Sequence, residues 1–151
     1  MNDATAINQV NLRIRVRYGE CDAQHVVFNA RYADYADLGA TEYIRALVGS
    51  HQALLEQGFD NQVVSLHIDW VASARFDDVL ELQVFASHIG NTSFALTTNC
   101  YVVKNTELHK VATVVTTYVM VDAKTFEKRQ IPNSLREQFS RAFLVEVDQA
   151  G

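Results

Sequence analysis

From Val64 to Asp122 the chain reads as successive strand-like runs with no helical period among them, and this stretch constrains the fold more than any other feature. Val64, Leu66, Ile68 and Trp70 alternate with Ser65, His67 and Asp69, the period of a strand that buries one face. A second run, VLELQVFASHI, follows the turn around ARFDD. Gly90-Asn91 marks a hairpin into SFALTTNCYVV, and KNTE marks another into HKVATVVTTYVMV; both runs are rich in β-branched and aromatic residues. Long runs joined by tight turns pair with their sequence neighbours, so the sheet is expected to be mostly antiparallel.

A further strand precedes these. Leu12, Ile14, Val16 and Tyr18 alternate with Arg13, Arg15 and Arg17. The arginine row could meet phosphates, or be a solvated or edge-protecting face; no site role is assigned to it. Tyr32, Tyr35, Ala36, Gly39, Tyr43 and Leu47 then recur every three or four residues, with Arg31, Asp34, Asp37, Thr41 and Arg45 mostly on the other side, as on a long amphipathic helix that Gly49 ends. Gly39 weakens a helix relative to alanine, so its place on the apolar stripe points to a close approach to the sheet. Ser50 is set to cap a short helix, HQALLEQ, ended by Gly58. Beyond Asp122, Pro132 precedes Ser134-Leu-Arg-Glu137, the spacing of a capping box that would open a terminal helix. The order of elements predicts a single α+β domain over residues 1–151, in which an antiparallel five-stranded sheet wraps one long central helix.

Composition narrows the functions. At 151 residues one core suffices, since a domain of this size buries roughly 68–70% of its unfolded surface. The net charge of −5 and the lack of any basic tract beyond EKR at 127–129 argue against nucleic acid or anionic lipid as a partner. No apolar run reaches the roughly 20 residues of a membrane span, and MNDATAINQV lacks the features of a signal peptide, so a cytoplasmic protein is expected. Its two cysteines, Cys21 and Cys100, lack metal-ligand spacing and are expected to be free thiols.

The chemistry concentrates in YGECDAQHVVFNARY, residues 18–32. A helix start presents unpaired N–H groups and the positive end of the helix dipole, which stabilise a developing oxyanion. A carboxylate nearby could attack an acyl carbon or activate water against it. The same residues also fit a bland account, because aspartate near a helix start serves as a cap or a dipole partner.

RVRYGECDAQHVVFNARYADYADLGATEYIR resembles the opening of the hotdog-fold acyl-CoA thioesterases of the 4-hydroxybenzoyl-CoA thioesterase and YbgC-like group. That pattern is a strand ending in an aromatic, an acid, one residue, Asp-Ala or Asp-Pro, and a valine-rich turn into the long helix. The likeness continues in order at VASARFDDVLELQV, HIGNTSFALT, YVMVDAKT and the IP before the last helix, from about residue 11 to about 140. It implies a hotdog fold and hydrolysis of an acyl-CoA to a carboxylic acid and coenzyme A. Asp22 falls on the family's catalytic aspartate, as nucleophile or general base. Asn29 falls where the helix begins, its backbone N–H being the donor that polarises the thioester oxygen. Tyr18 matches the aromatic that ends strand one, Phe28 an aromatic lining the acyl or pantetheine channel, and Tyr32 follows on the same segment as a substrate-side residue. The resemblance implies no metal, flavin or nicotinamide, and a homodimer with sites at its interface, pairing again into a homotetramer.

The chain departs from the pattern in two places. Relatives often have histidine where Asn29 stands, and His25 occupies a position where they usually have glycine; His25 could bond Asp22, reach the substrate or fill space. HIGNTS lacks a basic residue that some relatives use on coenzyme A phosphates, which leaves Lys128 and Arg129 for that role. Glu20, Cys21, Asp22 and His25 read as a metal cluster only if further ligands stand elsewhere, and none does at recognisable spacing. Cys21 with His25 could form a nucleophile and base, but in an extended segment Cys21 faces away from Asp22, which points to packing in the core instead. Asp34, Asp37 and Glu42 on the long helix read as a soluble face, and His51, His67, His88 and His109 as solvated histidines. A hotdog dehydratase or hydratase, or a non-catalytic scaffold for acyl carriers, stands as the alternative.

Overall fold

The structure, a computed structural model, describes residues 7–151. Its strands are β1 (Asn8–Arg15), β2 (Phe59–Trp70), β3 (Val79–Ile89), β4 (Ser93–Lys104), β5 (Glu107–Asp122) and β6 (Phe143–Asp148). Its helices are α1 (Arg31–Val48), α2 (His51–Glu56) and α3 (Asn133–Ser140), with a short 3-10 turn at Tyr18–Glu20. They form one six-stranded sheet in the order β2-β5-β4-β3-β1-β6, folded around α1.

The expectation of five antiparallel strands is corrected at one edge. β6 adds a sixth strand and runs parallel to β1, pairing Asn8 with Phe143 through Arg13 with Asp148. It carries a weak period-two signal, with Phe143, Val145 and Val147 half-buried and Leu144, Glu146 and Asp148 exposed. A parallel partner needs a crossover rather than a tight turn, so no hairpin signal announces it. The remaining pairs are antiparallel, as expected.

α1 buries Tyr32, Tyr35, Ala36, Gly39, Ala40, Tyr43 and Leu47 against the inner face of the sheet. Fully burying a large apolar side chain contributes about 1.5–3 kcal/mol relative to exposure, so this seam stabilises the packing of the helix on the sheet. The close approach read from Gly39 is real: a Cβ placed there would lie 2.7 Å from Val84 Cγ2. Ser50 caps α2 as read, its Oγ accepting from the Ala53 N–H at 3.0 Å. The capping box at Ser134 does not form. Pro132 is the N-cap of α3, and its carbonyl accepts from the N–H groups of Leu135 and Arg136, both at 3.0 Å, leaving Ser134 inside the first turn. Among the described residues, no helix is long and apolar enough to cross a membrane.

Candidate active site

Beyond β1 the chain is tied to the 77–78 turn, Val16 N–H donating to Asp78 O at 2.9 Å and Asp77 N–H to Val16 O at 3.0 Å. After the 3-10 turn it doubles back as a miniature hairpin. Cys21 and Val27 form an antiparallel bridge, Asp22 N–H donates to Val26 O at 2.9 Å, and Phe28 N–H donates to Glu20 O at 2.9 Å. At the tip, His25 N–H donates to Asp22 O at 2.9 Å, and the Gln24 N–H donates to Asp22 Oδ1 at 2.8 Å. His25 has φ of 66°, the left-handed conformation that closes three-residue hairpin loops and favours glycine. Aspartate suits the first position because its carboxylate caps the amide two residues on.

This loop leaves Asp22 half-buried, with one carboxylate oxygen held by Gln24. Among the described residues, Oδ2 accepts no hydrogen bond and pairs with no cation, and the His25 ring makes no bond to it. Beside it, burial raises the Cys21 thiol, and the charges of Glu20, Asp22 and Asp78 raise it further. A protonated thiol packed against the core is a poor nucleophile.

Across the loop stands the entrance to α1. Phe28 O accepts from Arg31 N–H at 2.9 Å and Ala30 O from Ala33 N–H at 3.2 Å, while the N–H groups of Asn29 and Ala30 meet no acceptor among the described residues. Asn29 lies two residues ahead of α1 rather than on its first residue, in the turn leading to the positive end of the helix dipole. Its carbonyl is fixed by Trp70 Nε1, which donates to Asn29 O at 3.1 Å from the last residue of β2. A carboxylate with an open oxygen and free amides at a helix entrance is the donor and acceptor set that acyl transfer requires.

The predicted residues are partly brought together. Tyr18, Asp22, His25, Phe28 and Asn29 share the one loop, with Tyr18 79% exposed and its ring set edge-on to Phe76 at 5.6 Å. Arg17, Tyr18, Glu20, Leu38 and Phe76 line a cleft of about 540 Å³ beside it. Tyr32 is only 2% exposed and packs in the core, where burial pushes its phenol up to about 12. Lys128 and Arg129 are elsewhere. Arg129 lies 4.1 Å over the Phe59 ring and 3.5 Å from Asp122, at the start of β2, about 36 Å along that strand from Trp70 at the usual rise per residue. Among the described residues, no group of three or more histidines, cysteines or acids is placed to hold a metal ion.

Two features lay outside the sequence reading. Trp70 counted there as a strand residue, and only the fold shows its indole reaching the loop. Asp37, read as soluble helix face, lines a cleft of about 220 Å³ with Thr41, Ile44, His51, Asn61 and Tyr118. Burial, with the nearby charge of Asp37 adding to it, pushes the Tyr118 phenol up to about 12.

The family model of the thioesterase-like superfamily matches residues 16–139, and the chain belongs to that superfamily. It is 30% identical over 128 residues to the acyl-CoA thioester hydrolase YbgC of Escherichia coli O6:H1 (strain CFT073), a match spanning 85% of this chain and 93% of that one. With the acyl-CoA thioesterase YbgC of Haemophilus influenzae the identity is 36% over 83 residues, 54% of this chain and 61% of the relative. Among solved structures, a DHNA-CoA thioesterase from Staphylococcus aureus superposes with a TM-score of 0.78 at 17% identity, covering 91% of this chain and 98% of that one. A mutant 4-hydroxybenzoyl CoA thioesterase complexed with 4-hydroxybenzoyl CoA gives 0.77 at 19% identity, covering 87% and 98%. The fold is therefore the hotdog fold, and the chain is an enzyme of the thioester hydrolase class.

Proposed function

We propose that this enzyme hydrolyses acyl-CoA thioesters through Asp22, with the Asn29 amide polarising the thioester carbonyl. The observation that carries the reading is the uneven carboxylate: Oδ1 is held by Gln24 N–H, and, among the described residues, Oδ2 meets no donor on the loop where the Asn29 N–H meets no acceptor. By one route, Oδ2 attacks the acyl carbon, the coenzyme A thiolate leaves, and water hydrolyses the resulting anhydride. By the other, Asp22 takes a proton from water as hydroxide adds, and the collapsing intermediate expels the thiolate. Both routes give a carboxylic acid and coenzyme A, and in both the oxyanion needs the helix-entrance amides.

The edge strand supports a dimeric site. Val63, Leu66 and Trp70 on β2 are each about half exposed or more, at 57%, 47% and 51%. Such an edge pairs readily with another strand. Antiparallel pairing of β2 with its copy would set the Phe59 end of one strand beside the Trp70 end of the other. It would bring Lys128 and Arg129 of the partner subunit to the loop that lies 36 Å from this chain's own pair by the rise estimate above. The reading thus extends to a homodimer, and to a dimer of dimers as in the resemblance. The free thiols Cys21 and Cys100 fit a cytoplasmic location. A thiol-release assay on short, aromatic and long acyl-CoAs tests the activity. Release is expected for at least one class and its loss in Asp22→Asn; no release from any would refute hydrolysis and leave the hydratase and scaffold alternatives.

A further inference from the structure

Glu20 is an acid that the proposed reaction does not use, yet it makes more bonds than Asp22. Its Oε1 accepts from the Arg17 N–H at 2.8 Å and from the Tyr35 hydroxyl at 3.0 Å, and its carbonyl accepts from the Phe28 N–H at 2.9 Å. Three parts of the molecule meet on this residue: the exit from β1, the buried face of α1, and the returning limb of the loop. Tyr35 is 1% exposed and packs edge-on against Tyr32 at 5.6 Å, so its hydroxyl is fixed by the core. Burial raises that phenol strongly and the charge of Glu20 raises it further, which keeps it protonated as a donor. Glu20 sits two residues before Asp22, and its partner Phe28 one residue before Asn29. Each limb is therefore clamped just ahead of its reactive group.

We propose that Glu20 is a positioning residue that, through Tyr35, anchors both limbs of the loop to α1 and sets the separation of the Asp22 carboxylate from the Asn29 amide. The inference rests on the roles given above to Asp22 and Asn29. The bonds require an acceptor and not a charge, since a glutamine oxygen can take the same two donors. A displacement of about 1 Å in such a pair costs on the order of 100-fold in rate.

Kinetics of Glu20→Gln, Glu20→Ala and Tyr35→Phe, with hydrogen exchange at the loop amides, test this. Glu20→Gln is expected to keep kcat within about threefold. Glu20→Ala should lower kcat about 10–100-fold with KM little changed, because the reacting pair is displaced and the binding surface is not. Adding Tyr35→Phe to Glu20→Ala should cost little more, as both cut one tie. The Phe28 amide should exchange at least about tenfold faster in Glu20→Ala and at the parent rate in Glu20→Gln. A folded Glu20→Ala with parental kcat overturns the proposal. So does Glu20→Gln falling as far as Glu20→Ala, which would make the charge itself the active element. If Glu20→Ala does not fold, Tyr35→Phe decides by the same kcat and KM criterion. If the parent hydrolyses no acyl-CoA, the functional reading fails by itself. Exchange then decides, and equal protection of Phe28 in parent and Glu20→Ala overturns the anchoring.

Discussion

Two reversals of this chain open on the same dipeptide, Asp-Ala, and close on similar bonds, one at Asp22–Val26 and the other at Asp122–Glu127. In the second, Asp122 N–H donates to Glu127 O at 2.8 Å and Asp122 O accepts from Phe126 N–H at 2.9 Å. Phe126, like His25, is left-handed, with φ of 60°. The carboxylates differ. Asp122 Oδ1 accepts two amides, from Lys124 at 2.9 Å and Thr125 at 3.0 Å, while Oδ2 faces Arg129 at 3.5 Å. Bonds from Thr125 and Lys124, then the Arg129 charge, hold its pKa below the ordinary carboxylate value. Among the described residues, Asp22 Oδ1 accepts one amide and the carboxylate meets no cation. The same local turn chemistry thus commits one carboxylate to structure and leaves the other with an electron pair to donate.

Replacing Asp22 by Asn breaks the comparison most sharply. The amide oxygen can still cap Gln24, so the melting temperature should stay within about 2 °C while kcat falls at least about 100-fold. Differential scanning calorimetry beside the thiol-release assay checks both. Trp70→Phe removes the indole bond to Asn29 O and should lower kcat about fivefold, the equivalent of one lost hydrogen bond; steady-state kinetics measures it. Asp122→Asn should leave kcat unchanged but lower the melting temperature by about 1–2 °C at neutral pH. Because the folded pKa of Asp122 is depressed, the parent's advantage is fully present above the ordinary carboxylate pKa of about 4. It is lost as pH falls through the lower folded value, so the two melting curves should converge in acid. His25→Gly and Phe126→Gly relieve left-handed strain and should each raise stability by up to about 1 kcal/mol in urea titrations.

Much of the fold was legible because its signals are local. Gly39 on the apolar stripe announced the close contact with β3, and Gly90-Asn91 and KNTE announced the hairpins. β6 was not legible, since its pairing with β1 joins residues at opposite ends of the chain and leaves no turn between them. The same divide runs through the site. That Asp22 and Asn29 share one loop at the entrance to α1 could be read from the local sequence. The uncommitted Oδ2 depends on which cations the fold keeps away, and the reach of Trp70 to Asn29 crosses from the far end of β2. Lys128 and Arg129 were named for their charge once HIGNTS proved to lack a basic residue, and charge carries no information about distance along the sheet, so their place at the other end of β2 in the same chain was not legible.

Gly39 stands near the midpoint of α1, about 12 Å by helical rise from the end that presents the free amides. Since a methyl there would press on Val84 at 2.7 Å, this glycine is the fulcrum on which the rod rests. A wedge at a fulcrum lifts the whole rod, so a bulkier residue would push the end that carries the open amides outward from the sheet without touching it. The placing of that helix end is thereby hostage to a contact between two apolar surfaces well along the rod from it.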